Sequence, residues 1–307
     1  MIEEFDLFSY SSPKFKIDKP IRLIELFAGI GAQAKALENL GVEFEHWRAI
    51  EIDKYAMASY NAIHGTDFST QDITTIHASD LAITNTDRYC YILTYSFPCQ
   101  DISLAGQQKG YTKGGGTRSG LLWEVERILD ECESLPQVLI MENVPQIIGK
   151  KFVSDFQLWR RKLEQLGYSN FVQLLNSKEI GYPNPVPQNR NRCFMVSILG
   201  DYYYTFPKKQ SLKYKLKDIL EDNVDEKYYV SEKAIKYITK QERLDKKYTQ
   251  LNGEIGIPLT AKGQSNWTGD FVLDSERERE YSKAVRSGGR GSYDRHSWDI
   301  VVENENS

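Results

Sequence analysis

Cysteine and histidine are both scarce in this 307-residue chain, with four of each. Cys90, Cys99, Cys132 and Cys193 include no C-x-x-C pair, which argues against a structural zinc knuckle and against a disulfide scaffold. His46, His64, His77 and His296 show no metal-ligand spacing, so the sequence predicts no metal site. No apolar run approaches the ~20 residues of a membrane-spanning helix. The segment from Met1 to Pro20 mixes acids, aromatics and lysines without the apolar centre of an export signal. These absences predict a protein of a reducing cytoplasm, with no membrane partner.

Charge of one sign is also missing. Lys and Arg number 39 against 43 Asp and Glu, and mean hydropathy is −0.52, ordinary for a soluble globular chain. Residues beyond 200 hold 19 of the 39 bases and 19 of the 43 acids, so any nucleic-acid face must be a local patch rather than a basic domain.

What is present is rhythm. From Ile21 to about Leu199, short apolar runs alternate with helical stretches. Strands are expected at Ile21–Leu26, Val42–Glu51, Tyr91–Tyr95, Gln137–Met141, Phe171–Asn176 and Cys193–Leu199, with helices at Ala32–Leu40 and Lys54–His64. That alternation predicts an α/β fold with a mostly parallel, doubly wound sheet. Gln100 to Gly120 is rich in Gly, Ser, Thr and Lys and reads as a long mobile loop. Past Gly200 the rhythm breaks: a lysine-rich stretch, a helical run over Ser231–Lys247, then a Gly- and Arg-rich loop from Arg286 to Arg295. The expected division is therefore 1–200 for a catalytic domain and 201–307 for a second, smaller region.

The turn Phe27-Ala28-Gly29-Ile30-Gly31 follows a strand and opens a helix, where glycines let a ligand approach the backbone and the helix N-terminus favours a negative group. Glu51 comes about 20 residues later, where an acid can hold ribose hydroxyls. Asp72-Ile73 follows the second helix and could close over an adenine. The same spacing satisfies a dinucleotide fingerprint, which leaves a nicotinamide or flavin oxidoreductase open. Small residues there also serve tight helix–strand packing.

Pro98-Cys99-Gln100 and Glu142-Asn143-Val144 each follow a buried strand, so the fold reading puts a thiol and a carboxylate on the rim where open α/β sheets bind ligands. A thiol beside an acid suits nucleophilic and acid–base work. Taken alone, Cys99 reads rather as a small buried hydrophobe, and Glu142 equally as a helix-capping acid. Arg190 and Arg192, two residues apart, would share one face of an extended segment and could clamp an anion or a base carbonyl.

Taken together and in order, Phe27-Ala28-Gly29-Ile30-Gly31, Glu51-Ile52-Asp53, Asp72-Ile73, Phe97-Pro98-Cys99-Gln100, Gly120-Leu121-Leu122, Glu142-Asn143-Val144 and Gln188-x-Arg190-x-Arg192 resemble the DNA (cytosine-5)-methyltransferases of the prokaryotic or phage type. The resemblance implies a Rossmann-like S-adenosylmethionine-dependent sheet with a C-terminal target-recognition region. It implies S-adenosylmethionine lined by Phe27, Ala28, Gly29, Ile30 and Gly31, with Glu51 on the ribose, Ile52, Asp72 and Ile73 about the adenine, and Pro98 and Leu121 completing the wall. Double-stranded DNA is the implied partner, with a cytosine flipped out of the stack. Cys99 would attack C6, Glu142 would serve N3, Arg192 would hold O2, and Arg190 would support the thiol or its loop. Gln100 and Arg118 would meet DNA, with Lys109 and Lys113 as further phosphate contacts. Arg286, Arg290 and Arg295 are expected at backbone or bases, and Trp267 and Trp298 as anchors.

Two late motifs of that family are not found in the sequence: an Arg-, Leu- and Thr-containing brace and a Gly-Asn-Ser/Ala-type terminal helix. The expectation is a truncated or split enzyme, completed by a second polypeptide, or a degenerate remnant. The alternative to an active enzyme is a catalytically silent or partner-dependent DNA-binding subunit.

Overall fold

The computed structural model describes residues 12–103, 109–221, 224–225, 228–258, 267–273 and 282–284. The chain divides into two units, Met1–Leu175 with Asn191–Pro207, and Asn176–Arg190 with Lys208–Ser307. By this division residues 176–190 group with the C-terminal unit and residues 201–207 with the first.

The first unit runs β1 (Ile21–Leu26), α1 (Ala32–Asn39), β2 (Phe44–Ile50), α2 (Lys54–His64), α3 (Ala78–Leu81), β3 (Cys90–Tyr95), α4 (Leu122–Glu131), β4 (Val138–Asn143), α5 (Val153–Gln165), β5 (Tyr168–Asn176) and β6 (Asn191–Leu199). The six strands lie in the order β2-β1-β3-β4-β6-β5. β2, β1, β3 and β4 are mutually parallel, and β6 runs antiparallel to β4 with Asn143 opposite Cys193. Every residue of β3 is buried, as a central parallel strand covered on both faces requires.

One face of the sheet is covered by α4 and α5. Phe156, Trp159 and Leu163 recur at helical spacing along α5 and are buried in the main core with Leu93, Tyr95 and Ile128. Trp159 Nε1 donates to Tyr95 Oη at 3.1 Å, which satisfies the indole donor inside that core. A smaller cluster of Ile21, Leu23, Ala34, Ile92, Val138, Val196 and Ile198 places α1 against the sheet through Ala34. α2 starts at Asp53, whose carboxylate accepts from Tyr55 and Ala56 N–H, and ends at Gly65 in the left-handed conformation.

The second unit contains α6 (Glu232–Ile238), α7 (Gln241–Asp245), β7 (Thr249–Leu251), β8 (Gly269–Leu273) and β9 (Ser282–Ala284), with β8 parallel to β7 and antiparallel to β9. Its core is Val230, Ala234, Ile238 and Phe271, with Trp267 packed against them. The single helix expected over Ser231–Lys247 is two, because α6 ends at Thr239, whose hydroxyl bonds back to Ile235 O, and α7 restarts after an extended Lys240.

The expected strands and first two helices recur with small shifts at their ends. The long loop differs more. Over 109–117 it is anchored by Tyr111, fully buried, whose hydroxyl donates to Ile147 and Phe152 carbonyls while its own carbonyl accepts from Trp123 Nε1 at 2.6 Å. A buried tyrosine with its polar groups satisfied pins that half of the segment. Among the described residues, no helix is long and apolar enough to cross a membrane.

Candidate active site

Because β1 to β4 are parallel, their carboxyl ends share one edge of the sheet, and the segments following them build the site there. Phe27-Ala28-Gly29 leaves β1 with positive φ at Phe27 and Gly29. Gly31 caps α1 at φ 80°, and a Cβ there would fall 2.2 Å from His64 Nε2, so no larger residue fits. Glu51, just past β2, binds the turn directly: one carboxylate oxygen accepts from Gly29 N–H at 2.9 Å, the other from Asp53 N–H at 2.7 Å. Glu25 within β1 accepts from Ala34 N–H and from the Tyr60 hydroxyl, and burial raises its carboxyl above the usual range.

Cys99 ends the segment after β3 and lies half-buried against the main core. Its carbonyl accepts from Ile102 and Ser103 N–H, which curls the chain into a turn at the thiol. Two neighbours fix that turn. Asn143, buried at the end of β4, donates from Nδ2 to Phe97 O at 3.1 Å and accepts from Val144 N–H at 2.8 Å. Ser119, also buried, donates to Pro98 O at 2.6 Å and accepts from Asp101 N–H, while the Asp101 carboxylate accepts from Ser119 N–H. Glu142 precedes Asn143 on β4, and its carboxylate pairs with Arg192 Nε at 2.8 Å. The antiparallel run of β6 makes this possible, because it brings the start of that strand to the edge where β4 ends.

Among family models, that of the C-5 cytosine-specific DNA methylases matches residues 21–305. The chain belongs to this family. It is 34% identical over 263 residues to the type II methyltransferase M2.ScrFI of Lactococcus lactis subsp. cremoris, covering 70% of this chain and 71% of that one. The orphan methyltransferase M.SssI of Spiroplasma monobiae is 33% identical over 263 residues, covering 68% and 67%. In fold, the chain is similar to the S. pombe Dnmt2 methyltransferase, with TM-score 0.63 at 20% identity over 85% of this chain and 78% of that one. The Entamoeba histolytica methyltransferase EhMeth gives TM-score 0.65 at 16% identity over 83% and 76%.

The protein is therefore a DNA (cytosine-5)-methyltransferase and uses S-adenosylmethionine, which removes the nicotinamide or flavin reading of the glycine turn. The residues present fit that cofactor. Glu51 is held in place by backbone donors, and each oxygen keeps a lone pair for a ribose hydroxyl. Beside it, Ile30 and Ile52 are 55% and 68% exposed, large apolar side chains suited to covering a nucleoside base.

Other residues named from the sequence have partners within the protein. Ile73 is buried in the main core, and the Asp72 carboxylate accepts from the backbone N–H and hydroxyl of Thr74, so both brace the 72–76 turn. Leu121 packs against the core from the 3₁₀ turn Arg118–Leu121. Gln100 and Arg118 meet each other, Oε1 accepting from the guanidinium at 2.9 Å. Lys113 pairs with Glu126 at 2.6 Å, while Lys109 is exposed. Arg190 directly precedes β6, and its carbonyl accepts from Ser177 N–H within the second unit. Arg286, Arg290, Arg295 and Trp298 lie outside the described residues.

Sequence reasoning missed Ser119 and Asp101, and it gave Asn143 no part. It also missed Arg127 on α4, whose guanidinium donates to the carbonyls of Ile73 and Ile76 at 3.1 and 2.9 Å and so holds the 72–76 turn. Gln33, in the first turn of α1, ties the glycine turn to β3 through Ser96 Oγ at 3.0 Å. Their signal was position alone: each sits one or two residues from a quoted motif or packs under one.

Proposed function

We propose that this enzyme methylates C5 of a cytosine flipped out of a specific duplex sequence, through a covalent bond between Cys99 and C6. The observation that carries the reading is the Glu142–Arg192 ion pair, set by the β4–β6 junction on the strand edge that also ends in Cys99.

Cytosine C5 is a weak nucleophile. Cys99, as thiolate, adds to C6, and the electrons pushed into the ring are taken up as Glu142 gives a proton or hydrogen bond to N3. Arg192 donates to O2 from the part of its guanidinium not engaged with Glu142, neutralising charge that develops there. S-adenosylmethionine would supply an electrophilic methyl group on a positively charged sulfur, the methyl–sulfur bond breaking toward the sulfur as C5 takes the methyl. Loss of the C5 proton to water then returns the electron pair to the ring and expels Cys99. Asn143 and Ser119 keep the thiol's turn in place throughout. Glu51 orients the cofactor ribose, with Phe27 to Gly31, Ile52, Asp72, Ile73, Pro98 and Leu121 forming the surrounding wall. Gln100 would occupy the gap left by the base, and Arg118 a phosphate; the second unit would read the target sequence, with Arg190 supporting the loop.

The test uses duplex DNA carrying 5-fluorocytosine, whose C5 fluorine cannot leave as a proton does. With S-adenosylmethionine, a denaturant-stable protein–DNA complex is expected, and none with Cys99→Ala. On ordinary DNA, labelled methyl should reach cytosine C5 only with Cys99 intact. Label incorporated equally by Cys99→Ala would overturn the covalent route. Label that appears only when a second polypeptide is added would instead support the partner-dependent subunit.

A further inference from the structure

Behind the glycine turn, α1, β2 and α2 bring together three side chains that the reaction does not use. Glu38, His46 and His64 each place one potential metal donor within 4.8 Å of the other two. They are far apart in sequence, which is why their spacing gave no sign of a site. We infer that Glu38, His46 and His64 form a binding site for a divalent cation of the zinc class.

The argument rests on what holds each ligand. A histidine that binds a metal through one ring nitrogen characteristically donates from the other to an oxygen acceptor. Both histidines have that second partner. His64 Nε2 faces the Ile30 carbonyl at 3.2 Å, which leaves Nδ1 for the site. His46 Nδ1 lies 3.0 Å from the Tyr60 hydroxyl, and that hydroxyl gives its proton to Glu25 at 2.6 Å. His46 Nδ1 is therefore the donor to Tyr60, and its Nε2 keeps a lone pair. His64 Nδ1 stands 2.7 Å from Glu38 Oε1. A ring lone pair and a carboxylate oxygen at that distance need a cation between them, either a proton or a metal ion. The other Glu38 oxygen is bound by Lys35 at 2.8 Å, so the carboxylate is a one-oxygen ligand.

Size and chemistry agree with the zinc class. Bonds of about 2.0–2.2 Å to tetrahedral Zn²⁺ set donors roughly 3.4 Å apart. The His64–Glu38 contact opens by under about 1 Å and the other pairs, within 4.8 Å, close by at most about 1.4 Å, side-chain adjustments. Two imidazoles and a carboxylate suit Zn²⁺ or Co²⁺ better than the all-oxygen shells of Mg²⁺ or Ca²⁺. A fourth position stays open to water. The ion would cross-link two helices and the edge strand and, through His64 and the Ile30 carbonyl, brace the turn that carries Gly29 and Gly31.

The probe is Co²⁺, titrated into the full chain after chelator treatment and followed by its visible ligand-field absorption. One equivalent is expected to bind without the near-ultraviolet band of a cobalt–thiolate bond, and Zn²⁺ should displace it. Glu38→Gln, a partly exposed change that preserves the helix, should weaken Co²⁺ at least tenfold, and His46→Ala should abolish the band. Tyr60→Phe removes the acceptor behind His46 and should cost roughly 10–100-fold in affinity. His77→Ala, away from the site, should change nothing. Far-ultraviolet dichroism checks folding; if His46→Ala fails it, Glu38→Gln decides. No band, a band with thiolate character, or a band indifferent to Glu38→Gln would overturn the assignment.

Discussion

Arg192 Nε stands 2.8 Å from Glu142 Oε1, and its Nη1 donates to the carbonyl of Asn191 at 2.7 Å, so two of the three guanidinium nitrogens have fixed partners. A planar fork with fixed partners can hold a base carbonyl and a carboxylate together, which a lysine ammonium cannot. Arg192→Lys should therefore lower kcat for methyl transfer by about 10²-fold or more. The pair is partly exposed, so thermal unfolding should register only ~0–1 kcal/mol. A Lys variant with near-normal kcat would show that orientation by Glu142 is immaterial.

Asn143 joins β4 to the turn that carries Cys99. Asn143→Ala leaves the buried Phe97 carbonyl without its donor and Val144 N–H without its acceptor. A stability loss of ~1–3 kcal/mol is expected in denaturant melts. Methyl transfer at saturating cofactor should fall as well, while the KM for S-adenosylmethionine stays within about twofold, because the glycine turn is untouched. A rise in cofactor KM with normal kcat would place the effect elsewhere.

Much of this was legible in the sequence because parallel strands carry their own signature. β3 and β4 are built on apolar runs that stop at Tyr95 and Met141, so their ends, and hence Cys99 and Glu142, could be assigned to one edge from the sequence. Glu51 was legible for the same reason. Arg192 was found for a partly different reason: its partner comes from the reversed direction of β6, and residue spacing does not encode strand direction. Asp101, Ser119 and Arg127 act through hydrogen bonds to backbone N–H groups and carbonyls, which no periodicity announces. The cluster of Glu38, His46 and His64 needed the sheet order itself, since it joins residues from three elements.

Arg127 supplies a prediction about the cofactor alone. Its guanidinium bonds Ile73 and Ile76 carbonyls from α4, and Glu124 and Glu131 hold it in place. Arg127→Ala should loosen the 72–76 turn and raise the KM for S-adenosylmethionine several-fold, with kcat changed far less. Equal losses in kcat and in kcat/KM would assign Arg127 to the chemical step instead.

Glu131 supplies a prediction in pH. The Arg127 guanidinium first, then Ala78 N–H and His77, hold its carboxyl down at about 2, against an ordinary 4.5. An acid with a depressed folded value stabilises the protein above its unfolded pKa, and that contribution is lost as pH falls toward the folded one. Glu131→Gln should therefore be less stable than the parent above about pH 4.5, with the gap narrowing to nothing near pH 2. The group is exposed, so the gap should be small and shrink further in salt. A gap that widens on acidification would contradict the assignment.

The four thiols should separate by reactivity. Burial pushes Cys90 and Cys132 up to about 11 and Cys193 up to about 12, so at neutral pH each is almost wholly the unreactive thiol. Cys90 and Cys193 are also buried, the latter opposite Asn143 in the β4–β6 register. Cys99 sits half-buried in a turn on the strand edge, where a reagent can reach it. Brief treatment of the folded protein with iodoacetamide at pH 7.5, followed by peptide mass spectrometry, should find Cys99 modified well before the others, and methyl transfer lost in proportion. S-adenosylmethionine with duplex DNA should protect it, because a base seated against the thiol excludes the reagent. Faster labelling of Cys132, or activity that survives full modification of Cys99, would remove this thiol from the reaction.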